Sequence, residues 1–238
     1  MIHLMIQNSL TKTLIVVTFL LFVFIISGSF TYNYYSKSET TNQIQGMEQT
    51  VSQIQSILDM KSMEQRNIQK IINIINLYNQ DMAPNLKYNI AREIHKMCQK
   101  YTNLNVDLIC ATITHESALS WDPQVVSPVG AIGLMQIMPE TGANLAKDEG
   151  INWTSAEDVL FDPIINIRLG CRYLSQLIQE YELDGGLAAY NGGEKRAKLW
   201  LEKRNNKSDF TLLWEETQFY VPSILKLYAQ FQNQKGVF

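Results

Sequence analysis

The sequence contains few of the residues that build metal sites and disulfide frameworks. It has three cysteines and three histidines in 238 residues, no two cysteines form a CxxC pair, and the histidines show no ligand spacing with them. We therefore expect neither a zinc site nor a small disulfide-stabilised scaffold. Cys98 and Cys110 flank a short turn between two predicted helices and could pair in an oxidising compartment. The alternative is that both are buried free thiols, as we expect for Cys171.

Positive charge is also scarce. Lys and Arg total 20 against 23 Asp and Glu, which gives a net charge of -3. The short basic groups, such as Lys203-Arg204, are typical of solvated helix faces, so nucleic acid is not expected as a partner. Runs of alternating apolar and polar residues are missing too, and we expect a mainly α fold with at most a small β element.

Charge is absent altogether from one N-terminal segment, Thr13 to Phe30, and tyrosines follow it at positions 32, 34 and 35. An apolar run of this length can cross the core of a bilayer, and tyrosines suit its interface. We predict a short cytoplasmic N-terminus over 1–12 and a transmembrane anchor over 13–30. A signal peptide cleaved near Ser27-Gly28-Ser29 is the alternative.

Proline is missing from residue 44 to residue 78, and apolar residues recur there in a heptad pattern that Lys61 and Gln65 interrupt. This pattern predicts a coiled-coil-like helical stalk over 31–80, with a possible homo-oligomer through residues 44–78. About 35 helical residues would reach about 50 Å. A single amphipathic helix lying on the following domain or on lipid is the alternative. The eight apolar heptad residues are Ile44, Met47, Val51, Ile54, Leu58, Ile68, Ile72 and Ile75.

Pro84 would end the long helix. Residues 81–238 have the length of one ordinary domain. Pro139 and the pair Asp162-Pro163 are typical of helix starts. Between the helices that they delimit, residues 127–138 contain Gly130 and Gly133 without a helical period, which predicts a loop or short hairpin.

Three motifs in this domain are specific. Glu116-Ser117 is followed by SPVGAIGLMQIMPET over 127–141, by AAYNGG over 188–193 and by ETQFYV over 216–221. In this order the motifs closely resemble those of the soluble-lytic-transglycosylase (SLT) domain family, which cleaves the glycan strands of peptidoglycan. The resemblance implies a lysozyme-like fold for 81–238 and no cofactor. Gln218 departs from it, because an arginine is usual there, and the spacing from Glu116 to Ser127 is about two residues longer than usual.

The resemblance also implies how one carboxyl group suffices. Glu116 would protonate the oxygen of the bond between N-acetylmuramic acid and N-acetylglucosamine. As a carboxylate it would then remove the proton of the muramoyl 6-hydroxyl, which closes a 1,6-anhydro ring. An acid that works near neutral pH needs a pKa raised from about 4.3 toward 6 or 7, and burial against apolar side chains supplies such a shift.

Supporting roles are carried over to the positions that match the family motifs. His115 stands beside the acid, but we expect no catalytic role for it, because adjacent helical residues point about 100° apart. The implied substrate-binding or cleft residues are Ser127 near the acid, Gln136 and Met138 at the cleavage point, Tyr190 and Asn191 beside the sugar, Glu216 as a second, organising carboxylate, and the aromatic Tyr220.

We thus expect a lytic transglycosylase that is anchored in the inner (cytoplasmic) membrane of a bacterium by one helix and faces the wall, with peptidoglycan as its partner. A lysozyme-type hydrolase on the same fold is one alternative. It would need a second carboxylate to activate water, and Asp122, Asp162 and Glu216 are the candidates. A non-catalytic peptidoglycan-binding scaffold is the other.

Overall fold

The computed structural model describes the backbone of residues 2–206 and 215–233. Within these ranges it describes all side chains except those of residues 2–11, 13, 38, 40, 42, 215 and 216. The chain divides into two compact units, Met1–Lys61 and Ser62–Phe238. A first helix, α1 (Ile2–Tyr78), contributes residues to both.

The first unit consists of the N-terminal part of α1. Its window Leu14–Lys37 has 24 residues, a mean hydropathy of 2.5 and no buried residue, so by length and composition it could cross a membrane. Further along, the apolar heptad residues from Ile44 to Leu58 are all exposed.

The second unit begins at Ser62 rather than at residue 81, where we predicted the domain to start. Ile68, Ile71, Ile74 and Ile75 are all buried in its core. They form the broad stripe with spacings of three and four that packs a helix into a globular core, rather than a narrow coiled-coil seam. Ile68 and Ile75 are therefore unavailable for the predicted oligomer contact, which the structure limits to the residues before them.

Two helices follow the end of α1 in the same core. Pro84 is the first residue of α2 (Pro84–Lys100), in which Ile90, Ile94 and Met97 are buried. The Asn105 side chain caps α3 (Val106–Glu116) by accepting a hydrogen bond from the backbone N–H of Leu108. Glu116 is the last residue of α3, so its position is set by where this buried helix ends.

A loop without regular strands leads from α3 to the remaining helices. Its described pairing consists of two isolated antiparallel bridges, Val126 with Ile132 and Ile132 with Ile137. Asp162 caps α6 by accepting from the N–H groups of Ile164 and Ile165, as the sequence predicted. The helices after the loop are α4 (Pro139–Asp148), α5 (Ala156–Leu160), α6 (Pro163–Gly192), α7 (Glu194–Asn205) and α8 (Glu215–Asn233). Helix α6 bends at Tyr181 and Glu182, and α8 runs through Pro222.

The three cysteines are free thiols in the structure. Cys110 and Cys171 are fully buried, and burial raises the pKa of Cys98 to about 12. A thiol with so high a pKa stays protonated near neutral pH, where the thiolate is the reactive form. Packing is therefore the role that the structure supports for these residues.

Candidate active site

Glu116 lies half-buried at the C-terminal end of α3. The Tyr220 hydroxyl, from α8, donates a short hydrogen bond to its Oε1 atom. The fold thus presents one carboxyl group at the end of a buried helix, with a hydroxyl that fixes its orientation.

The backbone after Glu116 is strained. Ala118, Leu119 and Trp121 have φ values of 50°, 64° and 49°, a left-handed conformation that costs a non-glycine residue on the order of 1 kcal/mol or more. Trp121 is fully buried and holds the turn in place. Its indole N–H donates to Thr114 Oγ1 at 2.9 Å, and its backbone N–H donates to Ser117 Oγ at 3.0 Å. The segment after Glu116, which is about two residues longer than usual in this family, therefore folds back onto α3. It fixes the helix end that carries Glu116.

His115 contacts the same group of residues. Its ring stands edge-on to the ring of Tyr220, with 4.8 Å between centroids and 75° between planes. Burial lowers the pKa of His115, so the imidazole is neutral at pH 7. It packs against the tyrosine that holds Glu116, and the sequence analysis did not foresee this contact.

Ser127 and Gln136 both make hydrogen bonds within the loop. Ser127 Oγ accepts from the N–H of Ala131 at 2.9 Å. Gln136 Nε2 donates to the carbonyl oxygens of Gly133 at 2.8 Å and Val125 at 3.3 Å, and Gln136 itself has a φ of 46°. Met138, just before α4, is 43% exposed. The two polar residues therefore shape the loop, and Met138 presents an apolar surface to solvent.

Tyr190 connects α6 to this loop. Its hydroxyl donates to the carbonyl oxygen of Met135 at 2.7 Å. Burial raises the pKa of this hydroxyl well above its usual range, and the nearby charge of Glu116 raises it further. Tyr190 is thus within electrostatic reach of the candidate acid, and it also supports the loop.

Asn191, near the end of α6, links this helix to α7 and α8. Its Oδ1 atom accepts from Thr217 Oγ1 at 2.8 Å and from Arg196 Nη1 at 2.6 Å. Thr217 lies on α8, three residues before Tyr220. Asn191 therefore supports the helix whose Tyr220 side chain orients Glu116. Glu216, the predicted second carboxylate, lies outside the described side chains.

Asn166 was not predicted as a site residue. It is fully buried on α6, and its amide makes two hydrogen bonds to the backbone of the loop and one to the backbone at the end of α5. It stands four residues after a helix cap, where polar residues are common. The one local signal is its place between Ile165 and Ile167 in the apolar start of α6.

Comparisons with known proteins agree with the motifs. Residues 93–213 match the model of the transglycosylase SLT domain. The soluble lytic murein transglycosylase of Escherichia coli K12 is 37% identical over 133 residues, which are 53% of this chain and 20% of that protein. Membrane-bound lytic murein transglycosylase D of the same strain is 29% identical over 141 residues, 57% of this chain and 30% of that protein.

Solved structures show the same likeness. The crystal structure of the 70 kDa soluble lytic transglycosylase of E. coli superposes with a TM-score of 0.50 at 31% identity, covering 63% of this chain and 26% of that one. The mainly α, lysozyme-like fold is confirmed. The chain spans only about a fifth of the length of the soluble relative. On the match over 93–213, the chain belongs to the transglycosylase SLT domain family.

Proposed function

We propose that this protein is a lytic transglycosylase that cleaves the MurNAc-β-1,4-GlcNAc bond of peptidoglycan and forms a 1,6-anhydromuramoyl product. The observation that carries the proposal is the setting of Glu116. It ends α3 inside the segment that matches the family model, and the Tyr220 hydroxyl orients its carboxyl group.

The reaction needs one proton and one carboxyl group. Protonated Glu116 gives its proton to the glycosidic oxygen as the bond to the anomeric carbon breaks. The resulting carboxylate accepts the proton of the muramoyl 6-hydroxyl while that oxygen bonds to the anomeric carbon, so the acid is restored. The second step is intramolecular, for which effective molarities are high. The Tyr220 hydrogen bond would stabilise the carboxylate between the two steps.

Two candidates for a water-activating carboxylate have other contacts in the structure. Asp122 Oδ1 accepts from the N–H of Gln124 at 2.9 Å in a turn, and Asp162 caps α6. A hydrolase would have to recruit one of them or use Glu216. These contacts favour the transglycosylase over the lysozyme-type hydrolase.

We propose the following roles for the remaining site residues. Met138 lines the cleft, and Ser127 and Gln136 give the loop its shape next to the sugar. Tyr190 and Asn191 support the loop and α8, and Glu216 keeps the role of a second, organising carboxylate that its motif implies.

Digestion of purified peptidoglycan by the full chain, followed by mass spectrometry, tests the proposal. We expect products about 18 Da lighter than hydrated muropeptides. Glu116→Gln should lower the rate at least 100-fold, because general acid–base catalysis contributes about 10²–10⁴-fold. Glu194→Gln, on the exposed start of α7, is the matched control. Hydrated products would favour the hydrolase, and binding without cleavage would favour the scaffold.

The anchor is part of the proposal. We infer that α1 crosses the bacterial inner membrane once, with the second unit on the wall side. The 24-residue apolar window supports this inference, because it would be about 36 Å long and a bilayer core is about 30 Å thick. Extraction of membranes at alkaline pH should leave the intact chain in the pellet. A soluble chain shortened near residue 29 would indicate a cleaved signal peptide instead.

The exposed part of the seam suggests a second copy of this chain as its partner. Ile44, Val51 and Leu58 occupy one heptad position and Met47 and Ile54 the other, all exposed on α1. We propose that two or more copies associate through residues 44–58, a shorter contact than the 44–78 expected from the heptads.

A further inference from the structure

Asn166 occupies a position where every part of its amide is used. Oδ1 accepts from the backbone N–H of Met135 at 2.8 Å. Nδ2 donates to the carbonyl oxygens of Ile132 and Leu160, both at 2.9 Å. Because the residue is fully buried, loss of the amide would leave these backbone groups without partners, and each unsatisfied group would be costly.

The loop is shaped to receive this amide. Gly133 has a φ of 80°, and a Cβ atom there would lie 2.3 Å from Asn166 Nδ2 and 2.6 Å from the Leu160 carbonyl oxygen. One turn along α6, a Cβ on Gly170 would lie 2.5 Å from Met135 Sδ. Two glycines therefore let Met135 and its neighbours lie directly on α6, with Asn166 between them.

The same residue is held on its other side. While Asn166 accepts from the Met135 N–H, the Tyr190 hydroxyl donates to the Met135 carbonyl oxygen at 2.7 Å, so the peptide groups before and after Met135 are both fixed. The next residue, Gln136, adopts its left-handed φ of 46° directly after these two fixed peptide groups. A strained conformation of this kind persists only where the surroundings impose it, and the two hydrogen bonds to Met135 are such a constraint.

We propose that Asn166 is a positioning residue of the active site. It acts through the backbone of Met135 to hold the loop that carries Gln136 and Met138 in register with Glu116. This inference rests on the proposed function, since the loop matters for turnover only if Glu116 cleaves glycan. It assigns a role to a fully buried residue on α6 whose hydrogen bonds go to backbone groups.

The test compares Asn166→Ala with Asn103→Ala. Asn103 also makes two side-chain hydrogen bonds to α6, to the Ser175 carbonyl oxygen at 2.8 Å and with the Ser175 hydroxyl at 2.7 Å, away from the loop. At temperatures where both full-length variants are folded, we expect Asn166→Ala to lower kcat on soluble glycan strands about 10- to 100-fold. Asn103→Ala should leave kcat within twofold of the unsubstituted chain.

Amide hydrogen exchange supplies a readout that does not depend on catalysis. Asn166→Ala should accelerate exchange in peptides covering residues 132–137 at least tenfold relative to Asn103→Ala. Unchanged exchange there, or equal kcat in the two variants, would overturn the proposal. If the unsubstituted chain cleaves no glycan, the proposed function fails, and the exchange result still decides whether Asn166 holds the loop.

A milder variant covers the case in which Asn166→Ala does not fold. Tyr190→Phe removes only the hydroxyl on the Met135 carbonyl oxygen, so the same loop peptides should exchange faster and kcat should fall. Faster exchange with unchanged kcat would show that the hold on Met135 does not serve catalysis, and would overturn the proposal as well.

Discussion

The two ends of α1 carry isoleucines at similar spacing and lie in opposite environments. Before Lys61, Ile54 is 53% exposed, whereas Ile71, further along the same helix, is fully buried. The width of the apolar stripe does not explain the difference, because Ile57 and Met60, which are 48% and 64% exposed, stand two heptads before the buried Ile71 and Ile74. What differs is the cover, since the buried isoleucines pack in the core of the second unit. The same apolar pattern therefore serves a globular core in one stretch, and in the other it leaves a face that suits a second helix.

Removing the buried end of α1 should have the largest effect. A chain that begins at residue 80 lacks four buried isoleucines, each contributing about 1.5–3 kcal/mol, or roughly 6–12 kcal/mol as an upper estimate. A whole domain is stable by only about 5–15 kcal/mol. We expect this chain to show no cooperative thermal transition by circular dichroism, whereas a chain beginning at Ser62 should melt cooperatively. Equal melting temperatures for the two chains would contradict the assignment of these turns to the core.

Single substitutions make the same comparison more finely. Ile71→Ala should lower the free energy of unfolding of the second unit by about 2–5 kcal/mol, because it leaves a cavity in a packed core. Ile54→Ala, at the exposed end, should change it by less than about 0.5 kcal/mol. Tryptophan fluorescence in denaturant is a clean measurement, since all four tryptophans follow residue 120. A similar loss for both variants would mean that the two ends do not differ as described.

Local rules account for much of what the sequence predicted. The cap at Asp162, the helix start at Pro139 and the irregular loop before it depend on neighbouring residues, and the structure has all three. Glu116 was identified by a motif in which the residue types themselves are specific. The apolar N-terminal segment was readable because hydropathy is a property of a segment alone.

Contacts between distant residues were not predictable in this way. Asn166 binds a backbone group 31 residues earlier, and Tyr190 binds one 55 residues earlier. Lys87 is buried, and its ammonium group donates to Asn76 and to the Gln80 carbonyl oxygen, although its position in the sequence resembles that of any surface lysine. Such pairings depend on how helices pack, and one sequence offers no local pattern for them.

The continuous seam from 44 to 78 was wrong for a related reason. Ile68 and Ile75 keep the heptad register, so periodicity alone places them with Val51 and Ile54. Ile57 and Met60 stand at the same heptad positions as Ile71 and Ile74, and only the later pair is buried, so the helices packed against that pair decide the environment. Periodicity indicates that a helix has an apolar face, and it does not indicate what covers that face.

The smallest effect on stability, and a direct test of the seam, comes from cross-linking. Val51→Cys should form a disulfide-linked dimer on mild oxidation in detergent, because equivalent core positions of parallel helices face each other. Ser56→Cys, on the opposite face of the same exposed stretch, is the matched control and should stay largely monomeric on non-reducing gels. Neither change should alter the melting temperature of the second unit by more than about 1 °C, since both sites are exposed. Equal cross-linking at both positions would indicate random collision, which would leave the exposed isoleucines without a second copy of the chain to cover them.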